Sequence, residues 1–270
     1  MRKMLMILFM LAPTLACAAE SEQERLLAAA ETFNGLAAEA QTHDDMPRLS
    51  DPQAREALEI LANTSNSFGT AAFPSDELES TLAVCEAVTK ARDAYGAFGL
   101  DAFMQDKWDK GLLTAKSDKA AISALVAELG LRNMVRFQNE VFLLMDFNER
   151  CIAAELPLLA EFHEKLPPEQ RTEIRMRAVR GLQASVKKGM IAAVGMLTAS
   201  EISEDIRRRN LETMARLLPG EAAILPLAER ASLRRDLETM KASVPKSFHD
   251  IVDGMLTSLD DTSCKGLCRF

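Results

Sequence analysis

Histidine, tryptophan and tyrosine are nearly missing from this sequence: three, one and one in 270 residues. The three histidines, His43, His163 and His249, also stand in the wrong surroundings for familiar sites. His163 lies in the run EFHEKLPP, where a helical zinc protease needs a second histidine one turn on, and Pro167 stands there instead. No histidine has a glutamate three residues before it, which removes the ligand pair of a di-iron bundle. His249 and Asp250 are helix neighbours, and neighbours do not face each other. There is no Gly-x-Ser-x-Gly elbow, glycine-rich phosphate loop or dinucleotide fingerprint. Ser185-Val186-Lys187-Lys188 spells Ser-x-x-Lys, but mid-helix and without companion motifs. The sequence implies no cofactor, no metal site and no catalytic residue.

Aromatic residues make up 5% of the chain, and few runs alternate β-branched with polar residues. Strands are therefore disfavoured, and the abundance of alanine, leucine, methionine and glutamate favours helices. Positive charge is also short, 32 Lys and Arg against 40 Asp and Glu, for a formal net charge of −8. That argues against nucleic acid as a partner, since phosphate-backbone binding needs a basic surface. The imbalance is local. Residues 20–130 carry 20 acidic and 9 basic side chains, and residues 131–270 carry 20 and 21.

The N-terminus supplies the strongest positive signal. Arg2 and Lys3 precede a short apolar run, Pro13 and Thr14 break it, and Ala16 and Ala18 occupy the small positions before a cut. This is the pattern of a secretory signal peptide over residues 1–18. The apolar run is too short to span a bilayer, and no later run is longer, so no transmembrane anchor is expected. Ala16 before Cys17 also suggests a lipid anchor at Cys17, but Thr14 stands where leucine is usual in such signals. The expected location is the periplasm or outside the cell, with lipoprotein as the lesser alternative.

Helical periodicity covers most of the remainder. Ser21 with Glu24, Ser50 with Gln53, and Asp76 with Glu79 read as capping boxes. Residues 63–75 form the longest loop signal. One helix is expected to stop at Gly130 and another to run over residues 131–166, apolar on most sides and therefore central, kinked near Pro157. A further helix should end at Pro219-Gly220. Gly181, Gly189 and Gly195, about two turns apart, suggest close helix approach. The predicted fold is an all-α multi-helix bundle of about nine or ten helices. Its expected divisions are an acidic helical region over 19–110, a main bundle over 111–259 and a stapled tail over 260–270, although 19–270 also suits one domain.

Export places the cysteines in an oxidising compartment, where an even number implies disulfides. The mature chain would keep Cys85, Cys151, Cys264 and Cys268. Cys85 and Cys151 fall on the apolar faces of two helices, and Cys264 and Cys268 flank a Lys-Gly-Leu turn. Those pairings are expected; the rival joins each tail cysteine to one of the others. On the central helix, Gln138, Glu140, Asp146 and Asn148 interrupt an apolar stretch, and buried polar groups there must find partners. They are the candidate ligand-binding or polar-network residues. Arginine groups near 171–180, 207–209 and 230–235 could meet an anion or an acidic partner. The scattered methionines suit core packing.

The resulting expectation is a non-enzymatic, exported module that binds a protein or an envelope component. One alternative is a carrier of a small apolar or amphipathic ligand between helices. Another is an enzyme in which carboxylates such as Glu140, Asp146 and Glu149 converge on the central helix.

Overall fold

Three- and four-residue apolar spacing folds into α-helices throughout the described chain, with no strand among the described residues. The computed structural model describes residues 22–62, 78–264 and 266–269. The expected signal peptide over residues 1–18, Cys17, the loop signal over 63–75, and Ser21 and Asp76 lie outside the described residues. In order, the helices are α1 (Glu22–Gln41), α2 (Pro52–Ala62), α3 (Leu78–Gly96), α4 (Leu100–Asp109), α5 (Lys119–Arg136) and α6 (Gln138–Lys165). Then follow α7 (Glu173–Met196), α8 (Glu204–Ala222), α9 (Leu227–Lys241) and α10 (His249–Ser258). The protein is an all-α multi-helix bundle. No helix among the described residues is long and apolar enough to cross a membrane.

Local side chains set several helix starts. Asp118 accepts from the Ala121 N–H at 2.8 Å, and Ser203 caps α8 through the Ile206 N–H. At α2 it is Asp51, not the expected Ser50, that accepts from the Gln53 N–H at 3.0 Å.

Three further expectations need correction. The helix expected to stop at Gly130 continues to Arg136, and the break before the central helix falls at Phe137. Glycine weakens a helix without ending it. The break is anchored instead by Asn133, whose amide donates to the Gly96 and Phe98 carbonyls at 3.2 and 2.9 Å. Helix α8 runs through Pro219 to Ala222. Pro219 is exposed and one turn from the end, where its missing N–H removes a single bond. Finally, a Cβ at Gly181 or Gly189 would meet nothing within 4 Å, so neither glycine marks a close helix crossing.

Helix α6 is 28 residues long, about 42 Å at 1.5 Å per residue. It passes through Pro157 and organises the interior. Val141, Leu144, Phe147, Cys151 and Ala154 join α1, α2 and α3 in one core. Leu156, Ile152 and Leu159 join α7 to α10 in another. The two larger cores therefore meet along α6 over residues 151–156, and a small third cluster joins Phe142 to Ile202 and Ile206.

In the first core, Tyr95 lies 5.9 Å from the Phe33 ring and 5.2 Å from Phe137, and its hydroxyl donates to the Pro47 carbonyl at 2.6 Å. Cys85 of α3 is bonded to Cys151 of α6, with Cα atoms 5.6 Å apart. The second core is aliphatic apart from Phe248. Here the tail folds back: Cys264 and Cys268 are bonded, and Leu267 between them is buried. Gln183 of α7 donates to the Leu267 carbonyl at 2.8 Å. Arg230 of α9 donates to the Asp261 and Ser263 carbonyls.

Candidate anion-binding cleft

The four polar residues singled out on α6 face different neighbours. Gln138 accepts from the Ser203 N–H at 2.8 Å, tying the start of α6 to the start of α8. Glu140 is buried and accepts from the Leu49 N–H at 2.9 Å. Asn148 is buried and accepts from the Thr89 hydroxyl of α3 at 3.0 Å. These three satisfy the fold. Asp146 differs, because it faces a cleft.

That cleft follows from how α6 and α8 pack. Gln138 meets Ser203, Asp146 meets Asn210, and Ala153 and Gly220 line one groove further on. Contacts advance together along both helices, so the two run in the same direction. Leu143, Asp146 and Arg150 then share one face of α6, at three- and four-residue steps. Arg209, Glu212, Thr213 and Arg216 share the facing side of α8 by the same rule. Together they line a cleft of about 210 Å³.

Its polar groups are unevenly matched. Asn210 donates to Asp146 Oδ1 at 3.2 Å, and Arg209 Nε lies 3.6 Å from Oδ2. Burial pushes the Asp146 carboxyl above its usual range, opposed by the Asn210 hydrogen bond and by Arg209, Arg150 and Arg216. Arg150 is buried, donates to the Leu61 carbonyl at 2.5 Å, and lies over the Phe147 ring. Burial lowers its pKa; Asp146 pulls it back and Arg216 pushes it further down. Arg216 is exposed and has no ion pair, and the Thr213 hydroxyl no hydrogen bond, among the described residues; that hydroxyl is not among the fully buried unpartnered atoms, so it opens to the cleft. Three guanidiniums face two carboxylates, Asp146 and Glu212, so the lining is formally +1 in a chain of −8.

Sequence reasoning found Asp146 and noted Arg209 within an arginine group, but missed Thr213 and Arg216. The available signal was the spacing of Arg209, Thr213 and Arg216 along one helical face. Of the carboxylates considered for catalysis, Glu140 stands apart beside Leu49, while Asp146 and Glu149 are near enough to act on each other, with Arg92 of α3 also acting on Glu149. Burial raises Glu149 to about 7, with Arg92 opposing and Asp146 adding. Glu221, at the end of α8, is 2% exposed, and its Oε1 has no hydrogen-bond partner among the described residues. Burial, with Glu149 adding, raises Glu221 to about 8. No group of three or more metal-ligating side chains occurs among the described residues. No family model matches the chain, and no curated protein or solved structure shows significant similarity to it.

Proposed function

We propose that the protein is an exported, non-enzymatic binding module, periplasmic or secreted, whose α6–α8 cleft grips an anionic group on a partner protein or envelope component. The leader pattern and the paired cysteines support export. The observation that carries the reading is the unpaired Arg216 beside the unpartnered Thr213 hydroxyl, on a cleft wall already rich in guanidinium. A carboxylate or phosphate oxygen would satisfy both at once, and charge-assisted bonds to arginine are strong. Binding is favoured over catalysis because Asp146 is already engaged by Asn210 and Arg209.

The test is a melting series with inorganic phosphate, against sodium chloride at equal ionic strength. Phosphate should raise the melting temperature of the wild-type chain. Arg216→Glu should abolish that response, because it reverses charge at an exposed position without disturbing a core. A wild-type response no larger than that to chloride, or an unchanged response in Arg216→Glu, overturns the reading.

A further inference from the structure

A second pocket lies where the end of α6, the start of α7 and the stapled tail meet. Leu159, Phe162 and Leu166 form one wall, Val179 and Leu182 another, and Leu267 of the tail closes one end. Its volume is about 240 Å³. An apolar cavity of roughly 150 Å³ already takes benzene, and drug-sized ligands occupy pockets from roughly 300 Å³ upward. The size therefore suits a small organic molecule.

The walls are apolar, and the titratable side chains among the lining residues are His163 and Arg175. His163 is 5% exposed. Burial lowers its pKa, and the nearby Arg171 and Arg175 lower it further. Arg175 is the charged side chain in the pocket lining. Arg171 is committed to the Leu166 and Glu164 carbonyls. Among the described residues the Arg175 guanidinium donates through Nη1 alone, to the Gln170 carbonyl at 2.7 Å, which leaves its other N–H groups for a ligand. A cationic head would be repelled by Arg175, and a purely apolar molecule would make no use of its guanidinium.

We propose that this pocket binds a short-chain aliphatic carboxylate, with the chain against the leucine walls and the head at Arg175. The site is separate from the α6–α8 cleft and does not depend on it. The tail has a role here: the Cys264–Cys268 staple and Gln183 hold Leu267 as a fixed wall.

The experiment is calorimetric titration of the full mature chain with octanoate, octanol and octylamine, which share a chain and differ in the head. Octanoate should bind more tightly than octanol, and octylamine should not bind. Arg175→Gln should weaken octanoate roughly tenfold, the loss of one charge-assisted bond, and leave octanol unchanged. Ala178→Trp should block all three, because Ala178 lines the pocket from an exposed position where an added ring fills the mouth rather than a core. Arg216→Glu should bind octanoate as the wild type does, so failure of the cleft and failure of the pocket remain distinguishable. No binding of octanoate, equal binding of octylamine, or unchanged octanoate affinity in Arg175→Gln overturns the proposal. So does unchanged binding in an Ala178→Trp variant that melts like the wild type.

Discussion

The two ends of α6 are packed by different means. The end near Val141 and Phe147 meets an aromatic interior in which Phe33, Tyr95, Phe98 and Phe137 lie in ring contact. The end near Leu156 meets leucines, valines and methionines with a single ring, Phe248. Rings prefer particular mutual angles and bring a large buried area each, so a few of them fix geometry. Aliphatic side chains pack with less directional preference, and here polar clamps place the chain: Gln183 on Leu267, and Arg230 on Asp261 and Ser263. The covalent links differ in the same sense. One joins two helices 66 residues apart in sequence, and the other closes a turn of separation 4.

The largest expected break in this comparison comes from the longer link. The chain-entropy model gives about 4 kcal/mol for a loop of this length and about 2 kcal/mol for the short one. Replacing Cys85 and Cys151 by alanine should lower the unfolding free energy by about 4 kcal/mol in denaturant melts. Amide exchange should show the loss first in α1, α2 and α3, whose core contains both cysteines. If protection fell equally in α7 to α10, the two cores would be one cooperative unit and the contrast would be superficial.

A smaller effect is expected from the other core. Glu221 ionises near 4.5 when unfolded and near 8 when folded, because burial disfavours its charged form. The folded chain therefore holds a proton that the unfolded chain has released. The stabilisation is full below pH 4.5 and falls away as pH rises towards 8. Between pH 4.5 and 7 the loss is about 3 kcal/mol, at roughly 1.4 kcal/mol per unit. Glu221→Gln mimics the protonated form and should remove that slope. Its stability relative to wild type should rise by about 3 kcal/mol from pH 4.5 to pH 7, measured by urea midpoints at each pH. A constant difference across that range would show that Glu221 is already solvated or paired.

The fold class was legible because helix signals are local. Ser117 or Asp118 and Ser200 or Ser203 signal helix starts, of which Asp118 and Ser203 are the caps, and the apolar spacing read over residues 131–166 marks a helix buried on most sides, whose observed extent is Gln138–Lys165. The break at Phe137 was not legible, since it depends on Asn133 reaching two carbonyls more than 30 residues away, at 96 and 98. The same divide runs through the site. That Asn148 must find a partner follows from its place on an apolar face, but Thr89 as that partner requires knowing that α3 packs there. Asp146 was visible as a polar interruption. Thr213 and Arg216 enter only because α8 runs beside α6 in the same direction, a property of tertiary packing that neither helix encodes alone.

A pair of glycines offers the finest test, one beside each core and with nearly the same backbone. Gly99 has φ +69° and Gly266 has φ +66°, both in the left-handed region. An alanine at either position incurs the same backbone penalty, about 1 kcal/mol. Their surroundings differ. A Cβ at Gly99 meets nothing within 4 Å, whereas at Gly266 it would lie 3.0 Å from Glu164 Oε1 and 3.1 Å from the Ala160 Cβ. The glutamate tip can swing away, but Ala160 is fixed on α6, so the tail itself must shift. Gly99→Ala should therefore cost about 1 kcal/mol, and Gly266→Ala about 2 kcal/mol. The difference isolates how closely the stapled tail is pressed onto the aliphatic half. Should the two variants melt at the same denaturant concentration, the tail would be resting on α6 rather than packed against it, and Leu267 would be a poor wall for any ligand.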